Sequence, residues 1–270
     1  MRIPDAAKRA AVRHVKPRLG PDRWDHLRLA LSSEPAPPSL TDLAIAHGTD
    51  KWGTNHFYTP HYENHLRHLR NERFTLVELG IGGYEHEDRG GASLRMWRDF
   101  FPRARIVGLD IVDKTFVADD RIFPYVGSQV DPKVLNRIFS DFKDITVVVD
   151  DGSHQPDHVR ESFRLIFDRL PSGAIYIIED TQTSYWPAWG GKVDRRDPST
   201  SMGMVKDLVD GLNYEEFLDE DYVPSSWDTT VTAVHCYHNA VVIEKGENRE
   251  GSVRDLVGGT IDGQPGQRMD

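Results

Sequence analysis

The chain has 270 residues, of which 38% are hydrophobic and 28% charged, and its formal net charge at pH 7 is −10. This acidic balance argues against a nucleic-acid partner, because proteins that bind duplexes usually carry a basic face. No stretch approaches the roughly 20 apolar residues of a membrane helix, so we expect no membrane partner. The single cysteine, Cys236, is typical of a reducing compartment and predicts a cytoplasmic protein with this thiol packed in a strand.

The distribution of prolines, glycines and charges predicts three segments. Residues 1–38 are predicted to form a helical arm followed by a Pro/Ser-rich linker, SSEPAPPS. Residues 39–250 form the main domain, which begins with two short helices, the first capped by Ser39 and the second opening at Pro60. Residues 251–270 are polar and rich in glycine, and we expect this tail to be disordered.

Strand and helix patterns alternate from residue 74 onward. The predicted strands are FTLVELG, ARIVGLDI, RIFPYVGSQ, ITVVVDDG and AIYIIEDT, and the predicted helices are ASLRMWRDFF, PKVLNRIFSDF and PDHVRESFRLIFDRL. This alternation predicts an α/β fold with a mostly parallel sheet and helices on both faces. The segment TVTAVHCYHNAVVIEKG predicts an antiparallel C-terminal strand pair that turns at His238 and Asn239.

The first predicted strand leads into a glycine-rich turn, in which Glu78, Gly80 and Gly82 form the pattern E-x-G-x-G. Glycines let a backbone approach a ligand closely, and ligands of doubly wound sheets bind at the carboxyl ends of the strands. Asp110 ends the next strand, where an acid can accept both ribose hydroxyls of a nucleotide-like cofactor. The long connection to the next helix places no helix N-terminus beneath a pyrophosphate, which favours S-adenosylmethionine over a dinucleotide.

Acidic residues follow two of the later predicted strands. Asp150 and Asp151 end one strand, and Glu179 and Asp180 end the next. Because neighbouring parallel strands lie about 4.8 Å apart, these carboxylates are expected to converge at one edge of the sheet and repel one another. A hard divalent cation such as Mg²⁺ would relieve the repulsion. Some of the acids could instead cap turns or helices, and their spacing does not decide which of them bind a metal.

His154 lies three positions after Asp151, and these two residues are the predicted catalytic pair. A neutral imidazole can remove a proton near pH 7, for example from a sugar hydroxyl. The stretch 181–203 is long, aromatic and rich in Gly and Pro, which is typical of a functional lid. Its tryptophans, Trp186 and Trp189, would then cover the ligand.

Five segments together resemble the metal-dependent sugar O-methyltransferases of antibiotic biosynthesis. They are HGTDKWGTNHFYTPHYENHL, VELGIGGY, GGASLRMWRDFFPRARIVGLDI, VDDGSH and IIEDTQTSYWP. The resemblance covers roughly residues 40–190 and implies a Rossmann-like class I methyltransferase fold for residues 39–250, with S-adenosylmethionine and Mg²⁺ as cofactors. It further implies that Asp151, Glu179 and Asp180 bind the metal and that His154 is the general base.

The same resemblance implies further roles and a homo-oligomer. The predicted cofactor-binding residues are Tyr58, Glu78, Gly80, Gly82, Ser93, Asp110, Ser128, Gln129 and Asp150. Of these, Asp150 would also position its neighbours. The predicted substrate-binding residues are Glu63, Tyr185 and Trp186. The segment GTDK, with Thr49, Asp50 and Lys51, is assigned to contacts with the cofactor or the substrate.

The predicted reaction is methyl transfer from S-adenosylmethionine to a hydroxyl of a deoxysugar, which is carried either by a nucleotide or by a glycosylated natural product. A metal-dependent oxygenase is an alternative, although the usual iron site needs two histidines and only His154 is well placed. A nicotinamide oxidoreductase is another, although the G-x-G-x-x-G motif is absent. A scaffold without activity is a third, but clustered carboxylates are costly to retain without use.

Overall fold

A computed structural model describes residues 37–53 and 56–253, and the elements below belong to the unit Leu40–Asp270. The helices expected in residues 1–33 and the tail after residue 253 lie outside the described residues. The helices are α1 (Leu40–His47), α2 (Thr59–Leu66), α3 (Ala92–Phe100), α4 (Pro132–Asp141), α5 (Pro156–Ile166) and α6 (Ser201–Gly211). The strands are β1 (Thr75–Leu79), β2 (Arg105–Asp110), β3 (Ile122–Val126), β4 (Ile145–Asp150), β5 (Ile175–Glu179), β6 (Val231–Tyr237) and β7 (Ala240–Lys245).

These strands form one sheet in the order β3-β2-β1-β4-β5-β7-β6. The first five strands in this order are parallel, and β7 runs antiparallel to both β5 and β6. The predicted parallel sheet with an antiparallel strand pair is therefore confirmed, and the pair turns between Tyr237 and Ala240 as expected. Because the strand order reverses between β1 and β4, a crevice opens beyond their carboxyl ends.

The central strands are buried on both faces, as expected of parallel strands that helices cover. Every residue of β1 and β5 is buried. Successive side chains point to opposite faces, so Leu76 enters one hydrophobic core and its neighbour Val77 enters the other. Trp97 of α3 packs in the first core and Phe163 of α5 in the second, and the sheet is thereby held between two helical layers.

The stretch 181–203, predicted to be a long lid loop, contains short helical segments, and its role as a lid stays a prediction. Two short 3-10 segments, Thr181–Tyr185 and Pro187–Trp189, follow β5, and α6 begins at Ser201. Thr200 caps α6, its hydroxyl accepting a hydrogen bond of 2.9 Å from Gly203 N. The sequence pattern did not predict α6, because its glycines and acids oppose a helix locally, whereas its packing on the second core favours one.

Cys236 is exposed, contrary to the expectation of a packed thiol. It lies on β6, which is the edge strand of the sheet and has mostly half-buried or exposed side chains. Separately, none of the helices in the described part of the chain combines the length and the apolar character needed to cross a bilayer.

The carboxyl ends of β1 and β4 approach each other closely at Gly80. Gly80 N donates to Leu109 O at 2.7 Å, and Asp151 N donates to Leu79 O at 3.0 Å. A Cβ atom on Gly80 would lie only 2.1 Å from the carbonyl oxygen of Asp151, and the φ angle of Gly80 is +91°. Glycine therefore lets the turn after β1 pass beside the backbone that carries Asp151.

Replacing Gly80 by alanine should destabilise the protein more than the same change at Gly82. The difference between the two variants measures the cost of the close approach to Asp151. Both residues have positive φ, but a Cβ on Gly82 meets no atom within 4 Å. We expect Gly82→Ala to lower the free energy of unfolding by about 1–2 kcal/mol. Gly80→Ala should cost roughly 1–3 kcal/mol more, because the backbone of Asp151 must move. Urea unfolding followed by circular dichroism measures both, and equal losses would contradict the argument.

Candidate functional site

A cleft of about 1170 Å³ opens at the carboxyl ends of β1, β2 and β4, where the strand order reverses. Many of the residues predicted from the sequence line it together. They are Gly80, Gly82, Ser93, Asp110, Ser128, Gln129, Asp151, His154 and Asp180. Thr49 and Asp50 of the GTDK segment line it as well. The other predicted residues do not line the cleft, and several of them instead hold residues that do.

Asp110 holds the glycine-rich turn and also faces the cleft. Its Oδ2 accepts a hydrogen bond from Ile81 N, and its Oδ1 accepts one from Val112 N, both at 2.9 Å. A carboxylate can accept about four hydrogen bonds, so two acceptor sites remain for a ligand. This arrangement is compatible with the predicted contact to ribose hydroxyls.

Lys114 holds the far side of the same turn, a role that no motif indicated. Its side chain is buried, and its ammonium donates to the carbonyl oxygens of Tyr84, at 2.9 Å, and of His86. These carbonyls belong to the long connection between β1 and α3, which forms one wall of the cleft. The sequence does not indicate this role, because a single lysine in a polar stretch forms no motif. Only the tertiary fold shows which carbonyl groups its ammonium contacts.

Asp150 and Asp151 point to opposite sides of the sheet, which separates their roles. Asp150 is buried, and its carboxylate accepts hydrogen bonds from Ser162 at 2.6 Å, Tyr176 at 3.0 Å and Gln129 at 3.0 Å. Burial raises the pKa of Asp150, while these donors favour its charged form. Asp150 therefore orients Gln129 rather than lining the cleft as a cofactor-binding residue.

Gln129 in turn fixes the loop that carries His154. Its Oε1 accepts a hydrogen bond of 2.8 Å from Ser153 N. A Cβ on Gly152 would lie 2.2 Å from the same oxygen, so a larger residue would displace the Gln129 amide and its hydrogen bond to Ser153. The packing of Gln129 against Gly152 thus explains the glycine of the D-D-G-S-H motif in this chain.

Lys51 lies among three carboxylates at the ends of β1, β4 and β5. Its ammonium is 3.0 Å from Glu78 Oε1, 2.8 Å from Asp151 Oδ2 and 2.5 Å from Glu179 Oε1. Lys51 and Glu78 are 1% and 0% exposed, and Glu179 is buried as well. The sequence predicts Lys51 among the ligand contacts and Glu78 at the cofactor. The structure instead shows a buried ion cluster behind the cleft.

Burial and mutual repulsion set the titration of this cluster. Burial raises the pKa of Glu179 well above its usual value, and the nearby Asp151 raises it further, while Lys51 opposes both effects. Burial likewise raises the pKa of Glu78 against the opposing charge of Lys51. Burial lowers the pKa of Lys51, but the three carboxylates outweigh it and hold the ammonium in its charged form.

Asp180 faces the same region as Glu179 although the two are consecutive. Its φ of +52° is left-handed, which turns its side chain from the direction that a continuing strand would give. Its Oδ1 accepts a hydrogen bond of 2.8 Å from Tyr58 and lies 3.6 Å from His56 Nδ1. Tyr58, predicted at the cofactor, therefore holds Asp180 from behind. His56 was not predicted.

His154 also has a left-handed backbone, with φ of +55°. Its Nε2 lies 3.5 Å from Asp180 Oδ2 and 4.0 Å from Asp151 Oδ1. Burial opposes ionisation of Asp180, but His154 and the hydrogen bonds from Gln182 and Tyr58 hold the pKa of this carboxyl below its usual value. Backbone strain of this kind concentrates at functional sites.

The donor set fits a hard divalent cation. Ligand atoms of Asp151, His154 and Asp180 lie within 4.8 Å of one another, and so do those of Glu78, Asp151 and Glu179. Asp151 belongs to both groups, and the ammonium of Lys51 compensates only part of the negative charge. Of the predicted ligands, Asp151 shares one group with Asp180 and the other with Glu179, whose carboxylate pairs with Lys51.

The residues predicted to bind substrate lie outside the cleft wall. Glu63 accepts hydrogen bonds from Leu40 N at 2.9 Å and from Arg67 at 3.1 Å, so it joins α1 to α2. Tyr185 and Trp186 are 40% and 47% exposed and follow Asp180 in the chain. The ring of Trp189, which is also exposed, lies 6.2 Å from that of His154.

The sheet order, the glycine-rich turn and the acids at the strand ends define a class I methyltransferase fold. No protein-family profile matches the chain. It is 45% identical to demethylmacrocin O-methyltransferase of Streptomyces fradiae over 220 residues, which are 81% of this chain and 56% of that protein. It is 42% identical to 8-demethyl-8-(2-methoxy-alpha-L-rhamnosyl)-tetracenomycin-C 3'-O-methyltransferase of Streptomyces olivaceus, over 80% of this chain and 56% of that protein.

A solved structure supports the same relationship. The chain superposes on the MycE methyltransferase of the mycinamycin biosynthetic pathway, in complex with Mg and SAH, with a TM-score of 0.77 and 42% identity. The match covers 80% of this chain and 56% of that one. The chain is thus a homologue of sugar O-methyltransferases of macrolide and tetracenomycin biosynthesis, which confirms the resemblance predicted from its motifs. It spans about half the length of the curated relatives that it matches.

Replacing Lys51 by methionine should unfold the metal-free protein more easily. Removing one partner of a buried ion cluster leaves the others uncompensated and costs roughly 3–5 kcal/mol. The loss should be smaller at pH 5 than at pH 8. Without the ammonium, the raised pKa values of Glu78 and Glu179 rise further, so stability falls as these groups lose their protons with rising pH.

Chemical unfolding at the two pH values measures the Lys51→Met effect. Lys133→Met, on the exposed surface of α4, is the matched control and should change stability by less than about 0.5 kcal/mol. A loss that does not depend on pH would argue against electrostatic compensation by Lys51.

Proposed function

We propose that this protein transfers a methyl group from S-adenosylmethionine to a sugar hydroxyl of a glycosylated natural product. The observation that carries the proposal is the position of His154 Nε2, 3.5 Å from Asp180 and 4.0 Å from Asp151 on the wall of a cleft. An imidazole held beside carboxylates can accept a proton and is stabilised when it becomes charged. Relatives that methylate sugars of macrolides and tetracenomycins support this reaction.

The cleft suits S-adenosylmethionine for three reasons. The positive-φ glycine Gly82 leaves open space for a ligand beside the backbone, and Gly80 lets the turn pass close to Asp151. Asp110 retains acceptor sites for two ribose hydroxyls, and no helix N-terminus underlies the turn, as a pyrophosphate would require. The SAH in the related MycE structure supports the assignment.

Asp151, Glu179 and Asp180 would hold Mg²⁺, which is present in the related MycE structure. A bound Mg²⁺ would make a sugar hydroxyl more acidic and stabilise the charge that develops on it. Tyr58 would hold Asp180 in place from behind, and the ammonium of Lys51 would favour the charged form of Glu179 against the effect of burial.

His154 would then accept the hydroxyl proton at Nε2, and the sugar oxygen would attack the methyl group of the sulfonium in line. Asp180, whose pKa is lowered beside His154, would remain ionised and stabilise the imidazolium. The enzyme would contribute mainly by positioning the two reactants.

A glycosylated natural product fits the surroundings better than a nucleotide sugar. The exposed ring of Trp189, 6.2 Å from that of His154, offers apolar surface that suits an apolar aglycone, and Tyr185 and Trp186 are exposed in the same segment. The oxygenase and nicotinamide alternatives gain no support from the relatives. A homo-oligomer and a cytoplasmic location stay predictions.

His154→Ala should reduce turnover by a factor of about 10²–10⁴ and leave S-adenosylmethionine binding unchanged, because the histidine is proposed to act on the hydroxyl proton. Single-turnover assays with mass detection of one added methyl measure the rate, and isothermal titration measures binding. His47→Ala, at a surface ion pair with Asp99, is the control. Near wild-type turnover of His154→Ala would exclude this residue as the base.

EDTA should abolish activity and Mg²⁺ should restore it. Asp151→Asn should weaken Mg²⁺ binding roughly tenfold or more, measured directly by isothermal titration. Asp157→Asn, an exposed acid in the first turn of α5, should bind Mg²⁺ as the wild type does. Unaltered Mg²⁺ affinity of Asp151→Asn would contradict the ligand assignment.

A further inference from the structure

A third group of side chains that could hold a metal ion lies outside the cleft, where α2 meets the strand pair β6–β7. It consists of His65 on α2, His235 on β6 and Glu244 on β7, and we call it the edge cluster. Glu244 Oε1 lies 3.4 Å from His65 Nδ1 and 3.0 Å from His235 Nε2. None of the three residues lines the cleft described above.

The distances suit a small tetrahedral ion. Zinc bonds to nitrogen and oxygen are about 2.0–2.2 Å long, so two ligands of a tetrahedral site lie roughly 3.3 Å apart. The separation of 3.4 Å between His65 and Glu244 matches this value, and all three ligand atoms lie within 4.8 Å of one another. A small shift of His235 would complete three protein ligands, with a water as the fourth.

Neighbouring side chains orient His65 for this role. Its Nε2 forms a hydrogen bond of 2.8 Å with the hydroxyl of Tyr237, and the ring of Tyr237 stacks on that of His61 at 3.8 Å. With the proton on Nε2, the lone pair of Nδ1 points to Glu244. Metal-binding histidines commonly use their second ring nitrogen in this way.

The charges around the edge cluster also favour binding. Burial lowers the pKa of His65, and the nearby His235 and His61 lower it further against the opposing effect of Glu244. The neutral imidazole is the form that binds a metal. Lys245 lines the adjoining cavity of about 410 Å³, but its ammonium donates to the carbonyl oxygens of Phe167 and Asp168 and does not compete for Glu244.

We propose that the edge cluster binds a borderline-soft divalent cation, with Zn²⁺ as the best fit, through His65, His235 and Glu244. Two imidazoles and one carboxylate suit Zn²⁺, whereas the oxygen-rich cleft suits Mg²⁺. The bound ion joins α2 to the β6–β7 pair. Tyr58, just before α2, already bonds to Asn239 O in the turn of the same pair, and His65 bonds to Tyr237, so the ion adds a further attachment along the helix.

Thermal unfolding of the full chain in a zinc titration tests the proposal. At free zinc one hundred times its dissociation constant, the melting temperature of the wild type should rise by about 5–10 °C. His235→Asn and Glu244→Gln, both at partly exposed positions, should remove most of this rise, whatever their own starting stability. Mg²⁺ at the same concentration should not reproduce it.

His154→Ala is the control for zinc in the cleft and should retain the rise. Co²⁺ absorption in the visible range provides a second measurement: wild type and His154→Ala should show a tetrahedral spectrum, and Glu244→Gln should not. No rise in the wild type, or a rise that survives in Glu244→Gln and disappears in His154→Ala, would overturn the proposal.

Discussion

The buried ammonium of Lys51 is the contact on which the candidate site depends. It compensates Glu78, Asp151 and Glu179, which end three different strands of the sheet. Without a cation at this point, the carboxyl ends of β1, β4 and β5 would carry like charges, of which those of Glu78 and Glu179 are buried. The lysine therefore allows acidic residues to line a cleft at the edge of an apolar sheet. Asp151 belongs both to the buried cluster and to the wall of the cleft.

Two residues with left-handed backbone conformation, Asp180 and His154, bring their side chains close to each other. A regular strand would send Glu179 and Asp180 to opposite faces, but the φ of +52° at Asp180 turns its carboxylate to the side of His154. His154 has the same backbone conformation, and the loop before it is fixed by Gln129. The strain at these positions is opposed by surrounding hydrogen bonds, which include the one from Tyr58 to Asp180.

Much of the site could be predicted because strand ends are visible in the sequence. Apolar runs followed by acids predict that Asp151, Glu179 and Asp180 meet at one edge, and in the structure Asp151 groups with Asp180 on one side and with Glu179 on the other. The resemblance to the methyltransferases predicted that Asp151 binds the metal and that Asp150 positions its neighbours. The two side chains point to opposite sides of the sheet, which agrees with this prediction. Local patterns could not find α6 or the exposure of Cys236, since both depend on which surfaces the rest of the chain covers.

The sequence by itself determined the alternation of strands and helices, the glycine-rich turn and the acids at the strand ends, because each depends on neighbouring residues. Only the tertiary structure decided how those acids are compensated. Lys51 and Asp151 are 100 positions apart, and His65, His235 and Glu244 come from three separate elements. Contacts at such separations leave no local pattern, because they arise only when the sheet order places the elements side by side.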